Sequence, residues 1–138
     1  MLTTMGGRPR TKSFDEVYRD RLAVPDLAGW RVERVPHMPR DNPLGLIPDW
    51  CCEVLSPGTA RDDRGLKLPM YASCGVSHVW LIDPDERTIE VYEARDARPL
   101  MVATARDDER PVLAPFGAAV PLASFWLLPE EPRVGTAP

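Results

Sequence analysis

The sequence predicts one domain of the α/β (α+β) class, with a mixed β-sheet, flanking helices and an antiparallel C-terminal meander. The chain has 138 residues, 43% of them hydrophobic and 28% charged, which suits a single soluble globular domain. One helical stretch, residues 59–75, separates the early strand-like runs from the later ones. The later runs follow one another through short turns, which favours antiparallel pairing over a doubly wound parallel sheet.

The first elements are short. Residues 1–12 are predicted to be a disordered leader, and SFDEVYRDRL (13–22) a helix with a capping box of Ser13 and Glu16. LAVPDLAGWRVERV (22–35) predicts one or two short strands around Pro25 and Asp26, and the proline-rich PHMPRDNPLGLIP (36–48) predicts a loop.

The stretch DWCCEVL (49–55) is the first convincing strand. Alternation divides it into two faces, with Trp50, Cys52 and Val54 on one and Asp49, Cys51, Glu53 and Leu55 on the other. Glu53 therefore sits among apolar neighbours, where an ionised carboxylate is costly. A partner is expected, either a cation or a hydrogen-bond network.

A helix is predicted between a cap-like start at Thr59 and a stop at Gly75, with Pro69 forcing a kink or a late start. SHVWLID (77–83) and RTIEVYE (87–93) form a predicted hairpin.

LMVATA (100–105) and a piece near RPVLAP (110–115) extend the meander, and PLASFWLL (121–128) predicts a last helical turn anchored by Trp126. The domain is predicted to span residues 13–128, followed by a disordered tail at 129–138.

Charge and cysteine usage exclude several classes of protein. Residues 1–75 carry 11 Lys+Arg against 10 Asp+Glu, and residues 76–138 carry 6 against 11, so no general basic surface exists. A local basic patch that includes Arg61 and Arg64 could contact nucleic acid, with a solvated charged surface as the alternative. Three cysteines, two of them adjacent, give no disulfide framework, and the sequence has no apolar run of membrane-spanning length, so we expect a cytoplasmic protein.

Two acids in the first half are candidates for one metal site. If the strand that carries Asp26 pairs beside the strand that carries Glu53, their carboxylates converge and could bind Mg²⁺ or Mn²⁺ with a main-chain carbonyl and waters. Asp49 shares the strand face of Glu53 but lies about 13 Å along it, too far to share an ion directly.

A lysine normally completes such an arrangement, two residues after the acid, where this chain has Leu55. Lys67, on the following helix, could return its ammonium to the same place. Helical spacing puts Asp63, Lys67 and Tyr71 on one stripe, which must then face the cleft. On its own, Tyr71 would be interpreted as core packing.

The stretches PDLAGWR (25–31) and PDWCCEVLSPGTARDDRGLKLPMYASCGVSHVWLIDPDERTIEVYE (48–93) resemble the Uma-two family, restriction-endonuclease-like proteins of the PD-(D/E)XK superfamily. The resemblance covers roughly residues 22–127 and implies a restriction-endonuclease-like mixed sheet and metal-dependent hydrolysis of DNA phosphodiester bonds. It implies that Asp26 and Glu53 are metal ligands, with Asp49 as a further candidate, and that Lys67 is a displaced catalytic lysine.

The resemblance also implies an N-terminally shortened member and, since similar nucleases often form dimers, a candidate homodimer. Two alternatives stay open: a catalytically silent domain that binds nucleic acid or protein, and a structural or regulatory interaction module. In either of these, Glu53 would form a structural ion pair with Arg61 or Lys67, while Asp26 and Asp49 would be turn residues.

Overall fold

Residues 25–37, 40 and 46–126 are described by the computed structural model. The predicted leader (1–12), the predicted helix (13–22), both predicted domain boundaries (13 and 128) and the predicted tail (129–138) lie outside these residues.

Five strands form one mixed sheet in the order β1-β2-β3-β4-β5. Their bounds are Leu27–Gly29, Trp50–Val54, His78–Asp83, Thr88–Arg95 and Arg98–Arg106. β2 pairs antiparallel with β1 and parallel with β3, and β3, β4 and β5 pair antiparallel in succession. The predicted mixed sheet with an antiparallel meander is therefore confirmed.

The parallel step from β2 to β3 runs through a helical segment of three parts: α1 (Ala60–Asp62), a π-helical turn (Asp63–Lys67) and α2 (Leu68–Cys74). The segment begins after Thr59 and ends at Gly75, whose φ of 95° is the left-handed conformation that glycine adopts without strain. Pro69 has no N–H to donate within a continuous helix, and the chain resumes α-helical geometry with Pro69 in the first turn of α2. The segment therefore starts early, at the predicted cap, and the irregularity before Pro69 is a π-helical turn rather than a late start of the helix.

Of the one or two short strands predicted for residues 22–35, the described residues form one, β1, and the strand predicted near residues 110–115 is wrong. Residues 31–35 form a turn in which the amides of Arg34 and Val35 donate to the carbonyl of Arg31, because the carboxylate of Asp49 accepts from the Arg31 amide and the chain folds back there. The piece near residues 110–115 contributes only an isolated bridge between Val112 and Ala119. That segment is rich in proline, which removes ladder donors.

The last described helix, α3 (Ala123–Trp126), is the predicted final turn. The indole of Trp126 donates to the carbonyl of Asp107 at 2.7 Å and packs on the core beneath β4 and β5, which fixes α3 against the meander. Among the described residues, no helix is both long and apolar enough to span a membrane.

The two faces of the sheet carry separate cores, and this separation decides where polar side chains can meet. The core on the α2 face includes Cys51, Leu55, Leu68, Tyr71 and Leu81. The core on the other face includes Cys52, Trp80, Ile89, Leu113 and Leu122. Glu53 alternates with Cys52 and therefore points towards α2.

Candidate active site

Glu53 is buried on the α2 face of the sheet, with 1% of its surface exposed. The hydroxyl of Tyr71 donates to Glu53 Oε1 at 2.5 Å, and the Lys67 Nζ lies 3.6 Å from the same oxygen. The polar partner that the sequence requires for Glu53 is therefore supplied by two side chains of the helical segment.

Asp26 lies beside Glu53 because of the register of β1 on β2. Leu27 pairs with Cys52, so the same antiparallel register sets Asp26 opposite Glu53, just outside the strand. The amide of Val54 donates to Asp26 Oδ2 at 2.7 Å and fixes the carboxylate at this edge. Asp26 is exposed while Glu53 is buried, so one acid of the pair lies at the surface and the other in the interior.

Lys67 is held between two buried acids. Its Nζ lies 3.0 Å from Asp63 Oδ1, one turn back in the π-helical turn, as well as 3.6 Å from Glu53. Asp63 is 1% exposed and the Lys67 side chain is 24% exposed, so the ammonium bridges the core and the surface. A π-helical turn widens the helix locally and often occurs at functional sites.

The charges of this group shift the pKa values of Glu53 and Lys67. Burial raises the pKa of Glu53 to about 7; the Tyr71 hydrogen bond and Lys67 oppose the rise, and the charges of Asp26 and Asp63 add to it. Burial opposes the charge on Lys67, but the hydrogen bond to Asp63 and the charges of Glu53, Asp63 and Asp26 outweigh it and raise the pKa. Lys67 is therefore an ammonium at neutral pH.

The other predicted site residues lie elsewhere. Asp49 accepts from the Arg31 amide at 2.7 Å and pairs with Arg34 at 3.1 Å, so it holds the 31–35 turn at the far end of β2 from Glu53. Arg64 forms an ion pair with Glu90 at 2.9 Å, and Arg61 is exposed on α1. The structure thus brings together Asp26, Glu53 and Lys67 and leaves Asp49 apart.

Comparison with known proteins identifies the family of this chain. The family model Uma2, described as "Putative restriction endonuclease", matches residues 10–123. The chain belongs to the Uma2 family. No curated protein matches it.

A solved structure is similar to this Uma2 domain. It is that of "a putative nuclease belonging to DUF820" from Anabaena variabilis, with a TM-score of 0.52 and 27% sequence identity. The match covers 75% of this chain and 59% of the other, so the chain spans about three-fifths of that protein. The descriptions of the family and of this neighbour both name a nuclease.

The donor set of this Uma2 domain fits a hard divalent cation that keeps most of its water. No group of three or more His, Cys, Asp or Glu side chains within the described ranges is arranged to hold a metal ion. Two carboxylates are present instead, and Mg²⁺ is commonly bound through one or two carboxylates with water filling its other positions. Asp26 and Glu53 are the residues that would hold it.

Two members of the group were not assigned a role by sequence. The sequence places Asp63 only on a helical stripe, and it predicts core packing for Tyr71. Their spacing of four residues on either side of Lys67 is the signal that could have found them, because that spacing places all three on one helix face. The sequence does not show that the Tyr71 hydroxyl ends on Glu53.

Proposed function

We propose that this Uma2 domain is a Mg²⁺- or Mn²⁺-dependent endonuclease that hydrolyses phosphodiester bonds of DNA. The contact between Lys67 and Glu53, beside Asp26, carries the proposal. Leu55, at the usual lysine position, is 3% exposed and packs in the core. The helical segment, through Lys67, therefore provides the ammonium group that the strand lacks.

Each of the three residues has a distinct part. Asp26 and Glu53 would hold the ion, which would acidify a bound water and offset negative charge in the transition state. Lys67, with its raised pKa, donates hydrogen bonds and cannot accept a proton at neutral pH. It therefore orients the attacking water through an oxygen lone pair or stabilises charge on a phosphate oxygen.

A catalytically silent module that binds nucleic acid or protein is the second candidate. The observation that favours it is the mutual pairing of the buried groups: Lys67 with Asp63, and Glu53 with Tyr71 and Lys67. A network of buried ion pairs and hydrogen bonds can be structural alone. The two candidates differ in whether the site needs a cation.

The deciding experiment is a supercoiled-plasmid nicking assay with Mn²⁺, in which wild type is compared with Glu53→Ala. The endonuclease nicks the plasmid only with the metal ion present, and Glu53→Ala loses the activity. If Glu53→Ala nicks as fast as wild type, the cleavage comes from a contaminant and the domain only binds.

Mg²⁺ is expected to raise the melting temperature of the wild-type protein. A ligand that binds only the folded state stabilises it by roughly 2.7 kcal/mol at a hundred times its dissociation constant. Thermal melts monitored by circular dichroism over a series of Mg²⁺ concentrations measure the effect, and Asp26→Asn should reduce it. Melts of the wild type that do not change with Mg²⁺ or Mn²⁺ favour the silent module.

Arg61 is expected to contact a DNA phosphate. Arg61→Ala should weaken DNA binding about equally for all sequences and reduce the salt dependence of the affinity by about one counterion. Fluorescence anisotropy with a labelled duplex in Ca²⁺ at several salt concentrations measures both. Arg98→Ala is the control, because Arg98 is exposed at the start of β5, whereas Thr104, near the other end of β5, lies in the row of paired residues that includes Glu53. Equal salt slopes for wild type and Arg61→Ala would contradict this role.

Arg64 can join Arg61 in contacting DNA only by exchanging its ion pair with Glu90 for one with a phosphate.

A cytoplasmic location, a homodimer and a domain spanning residues 13–128 stay predictions. Sedimentation of the purified protein with and without DNA tests the homodimer.

A further inference from the structure

We propose that Tyr71 is a positioning residue that orients Glu53 for metal binding. Its hydroxyl holds Oε1, so that Oε2 faces the cation. This inference rests on the proposed function, since it assigns Tyr71 a role towards a metal ligand. Tyr71 comes from α2 and Glu53 from β2, and they are joined at 2.5 Å across the interface between helix and sheet.

A hydrogen bond and an ion pair meet on one oxygen of the Glu53 carboxylate. The Tyr71 hydroxyl and the Lys67 ammonium, at 3.6 Å, approach Oε1. Among the described residues, Oε2 is thus the oxygen left to meet a cation beside Asp26. The Tyr71 hydrogen bond on Oε1 also restrains rotation of the carboxylate, which removes an ordering cost from metal binding.

The position of Tyr71 makes this orientation rigid. Tyr71 is 0% exposed and its ring packs in the core with Leu68 and Leu81, so the hydroxyl cannot swing away from Glu53. Core packing alone would explain the ring but would not require a hydroxyl. Phenylalanine keeps the ring and removes only the donor, so Tyr71→Phe separates packing from positioning.

Tyr92 offers a matched control in the same domain. Its hydroxyl donates to Glu90 Oε2 at 2.7 Å, and its ring packs against the same core from β4. Tyr92→Phe therefore removes an equivalent tyrosine–carboxylate hydrogen bond from the same face of the sheet. It leaves the bonds of Glu53 in place.

The experiment measures the dissociation constant for Mn²⁺ by electron paramagnetic resonance in wild type, Tyr71→Phe and Tyr92→Phe. We expect Tyr71→Phe to bind Mn²⁺ roughly tenfold more weakly, the lower end of what is typical when a group that orients a ligand is lost. Tyr92→Phe should bind like wild type. Equal affinities for Tyr71→Phe and wild type overturn the positioning role while leaving the proposed function intact.

If wild type does not bind Mn²⁺, the metal site and with it the proposed function fail, and the role of Tyr71 falls with them. An equal loss in both tyrosine variants also overturns the proposal, because it indicates general loosening of the core.

A measurement on the wild-type protein covers the case in which Tyr71→Phe does not fold. The hydroxyl proton of Tyr71 is followed by nuclear magnetic resonance while diamagnetic Mg²⁺ is added. The proposal expects the resonance to stay protected from solvent at saturating Mg²⁺, since the hydrogen bond and the metal occupy different oxygens. Loss of that protection on Mg²⁺ binding overturns it.

Discussion

Replacing Lys67 by alanine is expected to lower the rate of Mn²⁺-dependent plasmid nicking by about a hundredfold or more, as when one transition-state donor is lost. The ammonium lies 3.6 Å from Glu53 and its raised pKa keeps it charged, so it is placed to supply that donor. Mn²⁺ affinity should stay level or rise, because a positive charge beside the ligands has been removed.

The same substitution also affects folding, and the experiment has to separate the two effects. Lys67→Ala leaves the buried carboxylate of Asp63 without its cation, and removing one partner of a buried pair costs several kcal/mol. Adding Asp63→Asn removes that unpaired charge. The double variant Asp63→Asn/Lys67→Ala should therefore recover most of the free energy of unfolding and none of the nicking activity.

Both quantities are measured on the same preparations, by urea unfolding and by nicking at a temperature where every variant is folded. Asp63→Asn alone shows what the acid contributes while Lys67 is present. Nicking by the double variant at the wild-type rate would remove Lys67 from the mechanism. Loss of nicking that follows loss of stability, and returns with it, would mean that Lys67 is only structural.

The periodicity of the sequence predicts which residues share a face of a strand or helix. Alternation in β2 separates Glu53 from Cys52, and a spacing of four places Asp63, Lys67 and Tyr71 on one stripe, which must face the cleft if Lys67 belongs to the site. The contacts at 3.0 and 3.6 Å to Lys67 and at 2.5 Å to Tyr71 show that this stripe faces Glu53. The face on which a residue lies follows from the repeat of its strand or helix, and that repeat can be read from the sequence.

Partners within a face do not follow in the same way. Asp49 shares the strand face of Glu53, but its bonds to Arg31 and Arg34 depend on how the chain turns after β1. The sequence left open whether that stretch forms a second short strand. The sequence does not predict the π-helical turn either, because a single proline, Pro69, is compatible with a kink, a late start or a bulge.

Replacing Glu53 by glutamine is expected to abolish nicking and, without metal, to stabilise the protein at pH 8. Burial raises the pKa of Glu53 to about 7, from 4.5 for an ordinary glutamate. A carboxyl whose folded-state pKa is raised contributes stability that is fully present below pH 4.5 and is lost as pH rises through about 7. Wild type should lose up to about 3 kcal/mol over that range through this group, while glutamine, which does not titrate, should not.

Urea unfolding in EDTA from pH 4.5 to 8 measures this difference between wild type and Glu53→Gln. Glu86→Gln, in the exposed β3–β4 turn, controls for the loss of one negative charge. A difference that does not change with pH would contradict the raised pKa. Saturating Mg²⁺ should reverse the order at pH 8, because the cation stabilises only the protein that keeps the carboxylate. A residue whose charge destabilises the empty site and stabilises the loaded one is selected for binding a cation, whereas a residue kept for structure would be more stable as glutamine under both conditions.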